Sequence, residues 1–209
     1  FAAGSATDTF ARVLANELTQ RLGKNFIVDD RPGAFGQIAA VHVAKSPADG
    51  YTVFLTTNST HSSNQHLYKS LQYDPVKDFE PVARTANLPF MVVVGADSPA
   101  KSLADLLALA RSRPDGLTYA MASTSSLIAS ETIAKLGGVK LSGVMYKASP
   151  QAIGDVAAGR VDFMAADFVT AMPQMSGGRV RVLAVADDRR SALLPNVPAV
   201  SETLKGFSC

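Results

Sequence analysis

Cysteine is nearly absent from this chain of 209 residues: Cys209, at its end, is the only one, so no intrachain disulfide is available. Charge is sparse as well. Charged residues make up 18% of the sequence, and 20 Lys and Arg against 18 Asp and Glu leave a formal net charge of +2. The basic residues are scattered rather than clustered, so nothing points to nucleic acid as a partner. No window approaches the roughly 20 apolar residues that span a bilayer. Catalytic signatures are missing too. There is no G-x-S-x-G around a nucleophilic serine and no G-x-x-x-x-G-K-[ST] phosphate loop, and the opening glycine lacks both G-x-G-x-x-G spacing and a preceding strand. His42, His61 and His66 lack zinc-ligand spacing and read as ordinary surface or packed histidines. Asp29 and Asp30 read as a solvated turn before they read as a cation site. No catalysis, metal or cofactor is expected. The chain starts at Phe1, so the lack of a signal peptide does not assign a compartment.

What is present is an alternation of helical patterns with short β-rich runs. In FAAGSATDTFARVLANELTQRLG, residues Phe10, Val13, Leu14, Leu18 and Leu22 fall on one apolar stripe. Ser5 and Asp8 have capping-box spacing, with Asp in place of Glu, and Gly23 is placed to end the helix. The pattern continues with strands at NFIVDD (25–30), GYTVFLTT (50–57) and PFMVVVG (89–95), the last apolar enough to be buried on both faces. Helices follow at 102–113, capped by Ser102, and at 125–138; SPQAIGDVAAG (149–159) has Pro150 at the first helical position. LTYAMA, SGVMY, RVDFMAA and RVRVLAVA complete the strands. Such alternation implies parallel α/β sheets. Polar turns near 94–102 and a charged, proline-bearing stretch near 185–198 mark a division into two lobes, 1–95 completed in part by 187–209, and 96–186.

Four hydroxyl-rich loops stand out: AAGSATD at the start, TTNSTHSSN (56–64), ASTSS (122–126) and KAS (147–149). Each follows or replaces a strand and opens a helix. One such loop is more often a cap than a site, but helix N-termini can hold anions, and in open α/β sheets ligands bind beyond the carboxyl ends of strands. Four at equivalent positions make a ligand site as good a reading as four caps.

Several blocks together resemble one family. GSATDTFARVLANELTQRLG, VDDRPGAFGQIAAVHVAKSPADGYTVFLTT, LYKSLQYDPVKDFEPVA, SPAKSLADLLALAR, MYKASPQAIGDVAAGRVDF and VRVLAVADDRRSALLPNVPAV are similar, in order, to the substrate-binding proteins of tripartite tricarboxylate transporters, the periplasmic Bug family. The resemblance implies a type II periplasmic binding-protein fold: two α/β lobes closing on a ligand cleft, the first lobe incomplete in this chain. It also implies an internal piece, without the family's first strand and closing helices. It implies capture of a small carboxylate (a di- or tricarboxylate, an acidic amino acid or an aromatic acid), membrane permease subunits as partners, a periplasmic location, no nucleic acid and a monomer. The family's binding loops map to Gly4, Ser5, Ala6, Thr7 and Asp8, and to Thr57, Asn58, Ser59, Thr60 and His61 in the first lobe. In the second they map to Ser123, Thr124, Ser125, Lys147, Ala148, Ser149 and Asp167.

The chain departs from the family pattern at several of these positions. Ser5 stands where a second glycine is usual, Ala2 and Ala3 stand for prolines, Leu127 for His and Asp167 for Asn. The loop at Ser123 is about two residues shorter than usual, within the two-to-six-residue range of such connections. The alternative function on the same two-lobe plan is the effector-sensing domain of a transcription regulator, which would need an N-terminal helix-turn-helix.

Overall fold

A computed structural model describes residues 1–208; Cys209 lies outside them. The chain forms two compact units, Phe1–Ala86 and Asn87–Cys209.

The first unit opens with helix α1, Ala6–Leu22. Ser5 caps it by accepting from the Asp8 N–H, and Gly23, at φ 64°, closes it with its own N–H on the Thr19 carbonyl. Helix α2, Gln37–Ala44, follows a tight turn at Ala34–Gly36. A π turn over Ser59–Ser63 leads into the short helix α3, Asn64–Leu67. The two runs expected as strands, NFIVDD and GYTVFLTT, carry no ladder in the structure. Their composition suits a strand, but a strand exists only when its N–H and C=O groups find a neighbouring chain. Among the described residues of this unit none lies alongside, and Ile27, Tyr51 and Val53 face water.

The second unit carries a five-stranded sheet: β1 (Phe90–Gly95), β2 (Leu117–Met121), β3 (Leu141–Met145), β4 (Phe163–Asp167) and β5 (Val180–Val185), in the order β3-β2-β4-β1-β5. It is mixed rather than all parallel, which corrects the expectation. β2 runs parallel to β3 and β4, whereas β1 is antiparallel to both β4 and β5. The loop that leaves β1 is anchored to β5. Arg181 on β5 donates to the carbonyls of Ala96, Ser98 and Ala100.

Alternation along β1 and β4 sorts the core into two layers. Val92, Val94, Phe163 and Ala165 pack with α4 (Leu103–Ser112) and α5 (Thr124–Gly137), while Met91, Val93, Met164 and Ala166 pack with α6 (Ser149–Ala157) and α7 (Phe168–Ser176). The apolar run of β1 is buried on both faces, as its sequence implied. Helix α7 was not legible in the sequence, because it starts directly on the last strand residue and contains Pro173. The last element, α8 (Val200–Thr203), covers the first layer with Val200, Leu204 and Phe207.

Candidate functional site

In the second unit, topology gathers the expected residues. Because β2, β3 and β4 are parallel and adjacent, with Met121 opposite Met145 and Ala120 opposite Met164, their carboxyl ends lie at one edge. Helices α5, α6 and α7 begin there, so three helix N-termini meet that edge, each with unspent N–H groups and a positive dipole end. The three entrances differ in what already occupies them. Ser123 caps α5 through the Ser126 N–H at 3.2 Å, and Ser126 in turn donates to the Ala120 carbonyl. Thr124 is fully buried beside it and Ser125 half-buried.

Asp167 caps α7 with both carboxylate oxygens: Oδ1 accepts from the Thr170 N–H and Oδ2 from its hydroxyl, each at 2.8 Å. That entrance therefore already holds a negative charge. Helix α6 has no such occupant. Its N-cap is Ala148, which offers no side-chain acceptor, Pro150 follows Ser149, and exposed Lys147 precedes them. The neighbouring Tyr146 donates its N–H to the Met121 carbonyl and its hydroxyl to Asp155, which fixes the start of this loop against β2.

In the first unit the opening loop is self-contained. Gly4, at φ 77°, donates its N–H to Asp8 Oδ2 at 2.8 Å, so Asp8 closes a cap one residue wider than the usual box. Asp8 Oδ1 takes no aligned hydrogen bond; its 2.7 Å contact with Arg12 Nε is an ion pair, and Arg12 also reaches Asp30. Burial pushes the Asp8 carboxyl up, but the Gly4 N–H and the Arg12 guanidinium outweigh it and hold it below its ordinary range. Asp30 moves the other way, raised by burial and by the neighbouring Asp8 charge. Asp29 and Asp30 are thus engaged with Arg31 and Arg12, and among the described residues no group of His, Asp or Glu is arranged to hold a metal ion. Ser5 and Ala6 are buried and Thr7 half-buried.

The second loop of this unit is a hydroxyl network. Thr60 Oγ1 lies 2.7 Å from Thr56 Oγ1 and 2.9 Å from His61 Nδ1, and donates to the Thr57 carbonyl. The Thr57 hydroxyl accepts from the Ser59 N–H, and Asn58 precedes the π turn in helical conformation. The His61 ring is tilted against Phe79 and Phe54, and this burial lowers its pKa.

Residues that sequence reading did not single out hold this loop. The Tyr73 hydroxyl donates to the Thr60 carbonyl at 2.7 Å, and Asn64 Nδ2 bonds both the Tyr73 oxygen and the Phe35 carbonyl. Phe35 and Ala34 lie at φ 50° and 46°, the positive-φ non-glycine residues among the described residues, at about 1–3 kcal/mol of strain each. Gly36, at φ 85°, brings the turn so close to Thr60 that an added Cβ would sit 2.9 Å from its methyl group. The one hint in the sequence was that RPGAFG and Tyr73 lie inside blocks that resemble the family. An open depression of about 520 Å³ lies beside Tyr73, with Gln65, Tyr68 and Lys69 in its lining.

Comparison with known proteins now decides the family. A model of the tripartite tricarboxylate transporter family receptor matches residues 10–209. The chain belongs to that family. A UPF0065 protein of Bordetella bronchiseptica is 37% identical over 99% of the chain, and protein BugT of Bordetella pertussis is 31% identical over 97%. The chain spans 62% and 63% of the length of these relatives. Among solved structures, R. palustris Rpa4515 with adipate superimposes with a TM-score of 0.96 at 35% identity, covering all of the chain and 71% of that protein. MatC from Rhodopseudomonas palustris with bound malate gives 0.91 at 31% identity and 72% coverage. The family and these neighbours are solute-binding proteins rather than enzymes, and the fold is that of periplasmic binding proteins. No helix among the described residues is long and apolar enough to cross a membrane.

Proposed function

We propose that this chain forms the ligand-binding part of a periplasmic solute-binding protein. It captures a small carboxylate and delivers it to the permease subunits of a tripartite tricarboxylate transporter. The observation that carries the reading is the edge of the second unit, where three helix N-termini meet and the α6 entrance has no side-chain cap of its own. A ligand carboxylate there would be the missing cap. The adipate and malate found with two solved neighbours make dicarboxylates the first acids to test.

Helix entrances and hydroxyls are strong enough for the task. A helix N-terminus contributes roughly 0.3–1 kcal/mol, up to about 2 when partly buried. Hydrogen bonds to charged groups add about 1.5–3 kcal/mol each, and micromolar affinity needs about 8 kcal/mol net. Four or five such contacts with Ser123, Thr124, Ser125, Lys147 and Ser149 reach that figure after the costs of binding. Ala148 would contribute a backbone N–H group, while Asp167 acts from within as a cap.

The test is thermal stability of the full-length protein with a panel of di- and tricarboxylates, acidic amino acids and aromatic acids, each beside its neutral amide. A true ligand at 100 times its dissociation constant adds about 2.7 kcal/mol. Amides that raise the melting temperature as much as their acids would refute an anion site.

A further inference from the structure

We infer that Tyr73 and Asn64 are positioning residues: together they clamp the π turn that carries Thr57–His61 onto the strained turn at 33–36. The inference rests on the carboxylate-binding reading of that loop and concerns residues that touch the loop rather than the ligand. It gives a role to RPGAFG and to the tyrosine of YDPVKDF, the rest of which caps its own turn through Asp74 and Asp78.

The clamp has three points, all on Thr60. Its carbonyl accepts the Tyr73 hydroxyl at 2.7 Å. Its methyl group fills the space that only a glycine at position 36 leaves open. Its hydroxyl joins Thr56, Thr57 and His61 in one network. A π turn widens the helix, with the Asn64 N–H reaching back to the Ser59 carbonyl, so the register of these carbonyls depends on outside partners. Tyr73 supplies one. Its ring is itself held, edge-on to Phe79 and buried.

Asn64 ties the second part. It is fully buried, and its amide donates both to Tyr73 and to the Phe35 carbonyl, whose residue lies at φ 50° next to Ala34 at φ 46°. Two consecutive non-glycine residues keep this conformation only when their surroundings fix it. Asn64 is the side chain that bonds the strained segment to the π turn. Loosening either tie lets the turn relax toward an ordinary helix, which moves the Thr57 carbonyl, the Thr60 hydroxyl and the His61 ring together.

The experiment uses full-length protein with Tyr73→Phe, which removes one oxygen and keeps the ring, and with Asn64→Ala, Ala34→Gly and the Asn64→Ala/Ala34→Gly pair. Two quantities are read: hydrogen exchange of the 57–64 amides against those of α5, and dissociation constants for adipate and malate by calorimetry. One lost hydrogen bond corresponds to about a three- to tenfold change. Tyr73→Phe should speed exchange in 57–64 by that factor, leave α5 unchanged, and weaken whichever acid binds by a similar factor. Ala34→Gly removes the strain that Asn64 holds in place, so it should restore part of the affinity lost in Asn64→Ala. Unchanged exchange in 57–64 on Tyr73→Phe would overturn the clamp, and so would faster exchange with wild-type affinity. If the wild type binds no acid of the panel, the carboxylate reading fails instead, and the exchange comparison alone decides for or against the clamp.

Discussion

Phe163 and Ile27 both sit in runs that read as strands, yet Phe163 is fully buried and Ile27 is 85% exposed. The same contrast separates the two units. In the second, every apolar stretch of β1 and β4 finds a ladder partner and a helix on each face. In the first, order comes without a sheet: a capped helix, a π turn, a strained turn, and side-chain ties such as Arg12 to Asp30 and Asn64 to Phe35. Local sequence can specify a cap or a turn because the partner lies within a few residues. A strand is specified only jointly with another, so β-propensity without a neighbour leaves valines and isoleucines in water.

The sharpest way to break this comparison is a pair of truncations in the 209-residue chain itself. Phe163→Ala should lower unfolding free energy by about 3–5 kcal/mol, the range for an aromatic removed from a packed core. Ile27→Ala should stay within about 0.5 kcal/mol, as an exposed substitution does. Urea denaturation followed by circular dichroism measures both. An Ile27→Ala loss as large as that of Phe163→Ala would mean that Ile27 is buried in solution, and the contrast between the units would collapse.

A second prediction compares helix entrances across the units. Helix α1 already carries Asp8 on the Gly4 N–H, whereas α6 begins at Ala148 with no side-chain cap. Ala148→Asp supplies α6 with a good N-cap, worth about 0.5–2 kcal/mol in helix stability. It also fills the entrance with negative charge. The melting temperature should rise or hold while affinity for adipate or malate falls at least about tenfold, a loss of about 1.4 kcal/mol. Unchanged affinity, measured by calorimetry, would move the anion away from α6.

How much was legible follows the same division between local and joint order. The caps at Ser5 and Ser102 and the helix stop at Gly23 were readable because each is a few-residue pattern with one physical cause. The double-faced burial of β1 was readable from its unbroken apolar run. Its antiparallel direction was not, since alternation of strands and helices carries no sign for a strand inserted between two others. Asp167 ends β4, at the edge where α5, α6 and α7 begin. Its commitment to capping α7 was hidden because α7 itself was hidden by Pro173. Tyr73 and Asn64 were invisible for a different reason: their partners, Thr60 and Phe35, are set by a chain reversal that no short pattern announces.

The smallest expected effect is in acid, where the two units should respond differently. In the second unit Glu202 pairs with Arg190 through both oxygens, at 2.7 and 2.8 Å, and accepts the Ala199 N–H. The Arg190 hydrogen bonds and that N–H pull its pKa down to about 2 from an ordinary 4.5. A carboxylate whose folded pKa is depressed stabilises the fold above its unfolded pKa, and that contribution is lost as pH falls through the folded value. Glu202 therefore steepens the loss of stability between about pH 4.5 and 2, and Glu202→Gln should flatten it. In the first unit Asp8 is also depressed, but Asp30 beside it is raised. A raised carboxyl has the opposite sign: it favours the folded state more as pH falls through its folded pKa. The two shifts oppose each other across Arg12, so the acid response of α1 should be shallower than that of the second unit. Hydrogen exchange of α1 and of β5 in the full-length protein, followed from neutral pH into acid, compares them directly. Asp30→Asn removes the opposing partner and should steepen the α1 response, and an α1 response left unchanged by it would show that the opposition of the two carboxyls is not what shapes it.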